Sequence, residues 1–220
     1  MHTSLSRMRP LVVVGMLALA ACQPTDKNPA PTGVAAKAMD EAAKGLGQAS
    51  QEMDKAREEI ATARDRLARE NISLNRNEKQ HLPKAEITPA GDLLIEGKAV
   101  ATTPEQKALV LAYRGELLGV VGDGMAIGME GARVGIDAAA SALKGVLAGQ
   151  DGDEIGKQVG EQAKAKIQPM VAQLCTRLPG LLSAQQALSA ALPEFAPYAT
   201  MDQADVDDCG DANGDGNWTF

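Results

Sequence analysis

Aromatic side chains are nearly missing from this 220-residue chain: Tyr113, Phe195, Tyr198, Trp218 and Phe220 make up 2% of it. A core without rings, built from Ala, Leu, Val and Met, excludes a sandwich or barrel and points to closely packed helices. Histidine is almost as rare, with only His2 and His81, so a zinc cluster or a Ser/His/Asp triad lacks its usual parts. There is no Cys-x-x-Cys, phosphate-binding loop or Gly-x-Ser-x-Gly, which removes the common motifs of redox, nucleotide and hydrolase chemistry. Basic residues are outnumbered, 22 Lys+Arg against 29 Asp+Glu, for a formal charge of −7. Without a basic stripe the chain is not suited to neutralising phosphates on a nucleic acid. The helix expected from Pro104 through the residues near 149 is not transmembrane either: its charge-free runs of about half a dozen residues fall far below the ~20 residues that span a bilayer. The carboxylate pairs Glu58-Glu59 and Asp207-Asp208 fit solvated surface, and the expectation is that the chain is not an enzyme.

Small residues, by contrast, are abundant and ordered. Gly124, Gly128, Gly131, Gly135, Ala138, Ala142, Gly145 and Gly149 recur at alternating spacings of four and three, which is one seam of a helix. A larger apolar seam, Met125, Met129, Ala132, Ile136, Ala139, Leu143 and Val146, runs beside it. An interior Gly costs a helix about 1 kcal/mol relative to Ala, so the seam leads us to expect another helix in close contact with it. A partner is at hand. Val34 to about Arg69 is a highly charged helix whose Leu46, Ala49, Met53, Ala56, Ile60, Ala63 and Leu67 form a heptad seam. We expect this coiled-coil-like helix to pack within the chain, against the glycine seam, the alternative being a coiled coil between chains.

The N-terminus reads as a secretory signal. Arg7 and Arg9 precede the apolar run Leu11 to Ala21, too short to span a membrane comfortably. Leu19-Ala20-Ala21-Cys22 resembles the bacterial lipobox, which implies cleavage of 1–21 and lipidation of Cys22 with several acyl chains, palmitate among them. Several chains anchor a protein stably, whereas one binds marginally. Gln23 in place of Asp implies sorting to the periplasmic face of the outer membrane. The expected divisions are a signal peptide (1–21), a lipidated Pro-rich tether (22–33), the charged helix and a polar connection (34–84), a β-hairpin plus helical domain (85–193), and a disordered acidic Gly-rich tail (194–220).

Within the third and fourth divisions, Ala85–Thr88 and Leu93–Glu96 flank a turn-rich centre and predict a hairpin, with Ala99–Ala101 as a further short strand. Thr103-Pro104-Glu105-Gln106 predicts a capped helix start, with a bend near Gly122-Asp123-Gly124. Asp153 is expected to cap the next helix, Pro169 to bend or restart it, and Pro179-Gly180 to stop it, with a short helix from Ser183. The fold class is therefore mainly α, with long helices packed through Gly/Ala seams.

The run Ile87-Thr88-Pro89-Ala90-Gly91-Asp92-Leu93-Leu94-Ile95-Glu96-Gly97-Lys98, then Gln106, Ala112-Tyr113-Arg114-Gly115-Glu116-Leu117 and Leu174-Cys175-Thr176-Arg177, resembles the YggN-like family of proteobacterial envelope proteins, a domain of unknown function. The resemblance covers about 87–192 and implies location and shape, not an activity. That family commonly has a cysteine near its mature N-terminus as well as the one matching Cys175. With Cys22 consumed by lipid, the partner left for Cys175 is Cys209; two remaining cysteines in an oxidising periplasm favour a disulfide, against free thiols or an intermolecular bond.

Asp211-Ala212-Asn213-Gly214-Asp215-Gly216 matches the opening of an EF-hand loop, with Asp211, Asn213 and Asp215 as ligands, but no Glu stands at position twelve. Such a site would hold Ca²⁺ weakly, and no other cofactor is implied. The function expected is that of a lipid-anchored structural or adaptor protein with an envelope protein as partner, the alternative being a periplasmic binding module for a small apolar ligand or for calcium.

Overall fold

The computed structural model describes residues 33–74 and 82–210. Three long helices dominate: α1 (Val34–Arg69), α2 (Pro104–Leu147) and α3 (Gly152–Ala191). A short α4 (Gln203–Asp207) follows, and four strands, β1 (Ile72–Ser73), β2 (Ala85–Ile87), β3 (Leu93–Ile95) and β4 (Lys98–Ala99), form one antiparallel meander in chain order. The protein is mainly α, as the ring-poor composition predicts. None of the described helices is long and apolar enough to cross a membrane.

Local chemistry starts and stops these elements. At α2 the Thr103 hydroxyl accepts from the Gln106 N–H while the Gln106 side chain accepts from the Thr103 N–H, the reciprocal pair expected there. The same helix ends in a Schellman arrangement. Gly149, at φ +72°, donates to the Val146 carbonyl and Gln150 to that of Gly145. Gly149 thus terminates the helix and does not belong to its seam. Asp151, not Asp153, caps α3, accepting from the N–H groups of Asp153 and Glu154. In the hairpin, Gly91 sits at φ +85°, and a Cβ there would come within 2.7 Å of Leu111, so both backbone and space demand glycine.

The core lies at one end of the molecule, where the sheet packs across α2 and the end of α3. Ile87 and Leu93 pair across β2 and β3 and are buried with Val110, Tyr113 and Leu117 of α2 and Leu181 and Leu188 of α3. Phe195 closes this cluster edge-to-face on Tyr113, with ring centroids 5.1 Å apart. Tyr198 donates its hydroxyl to the Pro83 carbonyl at 2.9 Å, and burial together with Glu96 raises its pKa.

From that end α2 and α3 run as an antiparallel hairpin. Gln106 bonds Ala191, Arg177 pairs with Asp123, Lys166 with Asp137, and Ile155 packs on Gly145. These contacts step along the two helices in opposite order, so α3 is in register with α2 over its length. The continuous contact explains why α3 passes unbroken through Pro169 and Pro179. A proline inside a helix costs about 3 kcal/mol, and packing along a whole partner helix outweighs that local loss. The expected stop at Pro179 and fresh start at Ser183 are overturned, and α2 runs as one element through Gly122-Asp123-Gly124.

Helix α1 lies antiparallel on the same hairpin. Its expected heptad seam, from Leu46 to Leu67, is the half-buried side, while the intervening residues are exposed. The surface of α2 that it covers is different from the one expected. Met129 and Arg133 face α1 and Asp137 and Gly145 face α3, whereas a Cβ at Gly124, Gly128, Gly131 or Gly135 would meet nothing within 4 Å. Gly128, Gly131 and Gly135 are therefore bare, whereas Gly124, Ala138 and Ala142 of the same seam are half-buried and Gly145 is buried. Changing Gly128, Gly131 and Gly135 to Ala together should stabilise the protein by about 2 kcal/mol, since open helix positions gain roughly 0.5–1 kcal/mol each. Urea unfolding would check this, and a loss of stability would mean that another helix fills the space.

Two further departures are confined to short segments. The polar connection after α1 contributes β1, whose Ile72 pairs with Ile87. The region expected as a disordered tail is ordered through Gly210: a 3-10 turn spans Ala196–Tyr198, and α4 carries a capping box between Asp202 and Asp205.

A latch joins the hairpin turn to α2. Asp92 accepts from the Lys107 ammonium at 2.7 Å and from the Thr88 hydroxyl at 3.2 Å. The Lys107 bond, helped by Thr88, lowers the Asp92 pKa below its ordinary 3.8. A lowered carboxylate pKa stabilises the fold above the unfolded value, and that contribution disappears as pH falls through the folded one. Carboxyl NMR should therefore place the Asp92 midpoint below 3.8, with the Gly91 amide signal shifting in the same acid range. Lys107→Met should move the midpoint up toward the ordinary value.

Candidate functional site

The expected site residues divide sharply. Cys22, Asp211, Asn213 and Asp215 lie outside the described residues. Cys175 and Cys209 are brought to disulfide distance, with Cα atoms 5.6 Å apart at a sequence separation of 34. The bridge fastens the segment after α4 to the middle of α3, where Gly210 rests against Val171. Closing a loop of this length is worth at most about 3–4 kcal/mol in the chain-entropy model. Only the last short helix hangs on it, so the loss should be local. Cys209→Ser should speed amide exchange over 203–207 while leaving Leu181 and Leu188 protected, as hydrogen-exchange mass spectrometry would show.

Sequence patterns did not single out the arrangement that joins the helices. Arg114 is 4% exposed, and its Nη2 donates to the carbonyls of Leu67, Ala68 and Glu70 at 2.7–3.0 Å. Those carbonyls close α1, whose last turn lacks intrahelical donors, so the guanidinium caps one helix from within another. Burial lowers the Arg114 pKa, yet the group stays a cation. Its Nη1 has no hydrogen-bond partner among the described residues. A lone charge among Val110, Tyr113 and Leu117 was the available sequence signal. The pairing with a helix end forty-odd residues away left none.

Beyond Arg114 the three helices do not close completely. A cleft of about 320 Å³ is bounded by Arg57, Ile60, Ala61 and Arg64 of α1, Ala126, Met129, Glu130 and Arg133 of α2, and Met170 of α3. A second, of about 380 Å³, continues past Arg64 toward Leu67, Leu118 and Met125. Arg64 divides the two, its Nη2 donating to the Gly122 carbonyl at 2.8 Å. Arg57 reaches Asp54 at 3.3 Å and Arg133 reaches Glu130 at 3.8 Å, and both arginine side chains remain about half exposed. Pairs this open contribute only about 0–1 kcal/mol, so both guanidiniums are available to another anion. The floor is apolar and half-buried, with methionines that can adjust to a guest.

Among the described residues, no three His, Cys, Asp or Glu side chains come together as a metal site. No family model, curated protein or solved structure matches the chain.

Proposed function

We propose that this chain is a lipid-anchored protein of the bacterial cell envelope, with a structural or adaptor role and no catalytic one. The observation that carries the proposal is the polarity of the helical body. Arg64 meets Gly122 while Leu67 meets Arg114, so α1 runs from the α2–α3 turn toward the sheet. The start of α1 is therefore at the end of the body that bears the turn, and a lipid on the lipobox-like Cys22, twelve positions before Val34, would attach the body by that end. Val146 and Leu147, 57% and 53% exposed, are at that end too, as suits a surface held near lipid. The sheet and its core lie at the opposite end of α2, a helix about 66 Å long at 1.5 Å per residue. Anchored at the turn, such a body carries the sheet end away from the outer membrane for a second envelope protein. The resemblance to the YggN-like family supports the same location.

Two experiments test the two halves of the proposal. Cells fed labelled palmitate should incorporate it into the chain, and Cys22→Ser should abolish the label and release the protein from membranes. Unchanged membrane association without label would remove the anchor. A photo-crosslinker at Lys98 or Leu111, both exposed near the sheet, should capture one reproducible heterologous protein in living cells. Self-crosslinks alone would remove the adaptor role and favour a ligand-binding module. If Asp211, Asn213 and Asp215 bind Ca²⁺, calorimetry at millimolar Ca²⁺ should give heat that Asp211→Asn and Asp215→Asn abolish.

A further inference from the structure

We propose that the open cleft bounded by α1, α2 and α3 binds a single-chain amphiphile with an anionic head. The chain lies over Ile60, Met129 and Met170, and the head is met by Arg57, Arg64 and Arg133. This goes beyond the adaptor role and does not depend on it, since the cleft is formed by the helical body alone.

Charge is the first argument. The protein carries a formal −7, yet the cleft is lined by three arginines and one carboxylate, Glu130. A local excess of guanidinium in an acidic protein marks this surface as the place where an anion is favoured. Guanidinium forks match carboxylate and phosphate oxygens alike. Arg64 is already fixed by Gly122, so part of the head site is preorganised. Arg57 and Arg133 lose only loose, solvent-exposed pairs when they turn to a ligand.

Shape and polarity are the second argument. A free inorganic anion would leave Ile60, Met129 and Met170 partly wet, and a neutral hydrocarbon would leave the arginines unused. A molecule with one acyl chain and one anionic head uses both. At about 320 Å³ the cleft is too small for a helix, which is about 10 Å across, and it falls in the lower range of small-molecule sites. The small side chains of Ala61 and Ala126 leave this space open.

The test uses the full-length chain with ¹³C-labelled methionine methyl groups, at amphiphile concentrations below micelle formation. Decanoate and decyl phosphate should shift the Met129 and Met170 signals, and their relative affinities tell whether the head is a carboxylate or a phosphate. Decyltrimethylammonium, with the same chain and opposite charge, should not shift them. R57Q together with R133Q should weaken binding by about tenfold or more at unchanged helicity. Ala61→Phe, which fills the cleft and alters no charge, should abolish it. Equal shifts with the cationic amphiphile, unchanged binding in either variant, or equal affinity for acetate or inorganic phosphate would overturn the proposal.

Discussion

Arg114→Ala should cost about 3–5 kcal/mol, the range seen when one partner of a buried charged arrangement is removed. The side chain is 4% exposed and serves three carbonyls at the end of α1. Its removal leaves these acceptors without their donor, each at about 1–3 kcal/mol where water cannot reach, and opens a void beside Leu67. The expected phenotype is directional. Helix α1 is half-buried along one seam only, so losing its fastening should free α1 before the hairpin and sheet unfold. Limited proteolysis should then cut after Arg69 while α2 and α3 stay protected. Arg114→Lys keeps the charge without the fork and should recover only part of the loss. A loss below about 1 kcal/mol for Arg114→Ala would show that water already serves the end of α1.

Phe195→Ala should be as damaging and should strike the other end. Phe195 is completely buried and edge-on to Tyr113, and truncating a buried Phe typically costs about 3–5 kcal/mol. The cavity would open among Ile87, Leu93, Val110 and Leu188, where strands and helices share one core, so unfolding should remain cooperative. Phe195→Leu retains most of the volume, loses the ring contact worth about 0.5–1.5 kcal/mol, and should be intermediate. Urea titrations followed by tyrosine fluorescence and by circular dichroism should coincide for Phe195→Ala and separate for Arg114→Ala. Coincidence in both variants would mean that α1 is not an independently released element.

The candidate cleft was legible only in fragments. Arg57, Arg64 and Ile60 sit on a helix whose charged and apolar faces are plain in the chain. Met129 and Arg133 belong to a second amphipathic pattern, and Met170 to a third. Nothing local specifies that these three faces meet, because a helical period identifies a face and leaves its partner open. Arg114 was hidden for the same reason, since its acceptors are main-chain carbonyls of another element and carry no side-chain signature.

The sequence by itself determined the mainly helical class, the extent of α1, its inward heptad seam, the hairpin at 85–95 and the reciprocal cap at Thr103 and Gln106. All of these depend on interactions within a few residues, or on a composition that has too few rings for a sheet core. Only the tertiary structure decided that α1 covers Met129 and Arg133 and leaves Gly128, Gly131 and Gly135 bare, that α3 runs through two prolines, and that Ile72 becomes a strand. The spacing of small residues permits close approach without compelling it, and bulkier side chains on either flank of the seam captured both neighbouring helices. Likewise a proline's local cost of about 3 kcal/mol is smaller than the packing gained when α3 stays in register with α2 from Ile155 to Ala191.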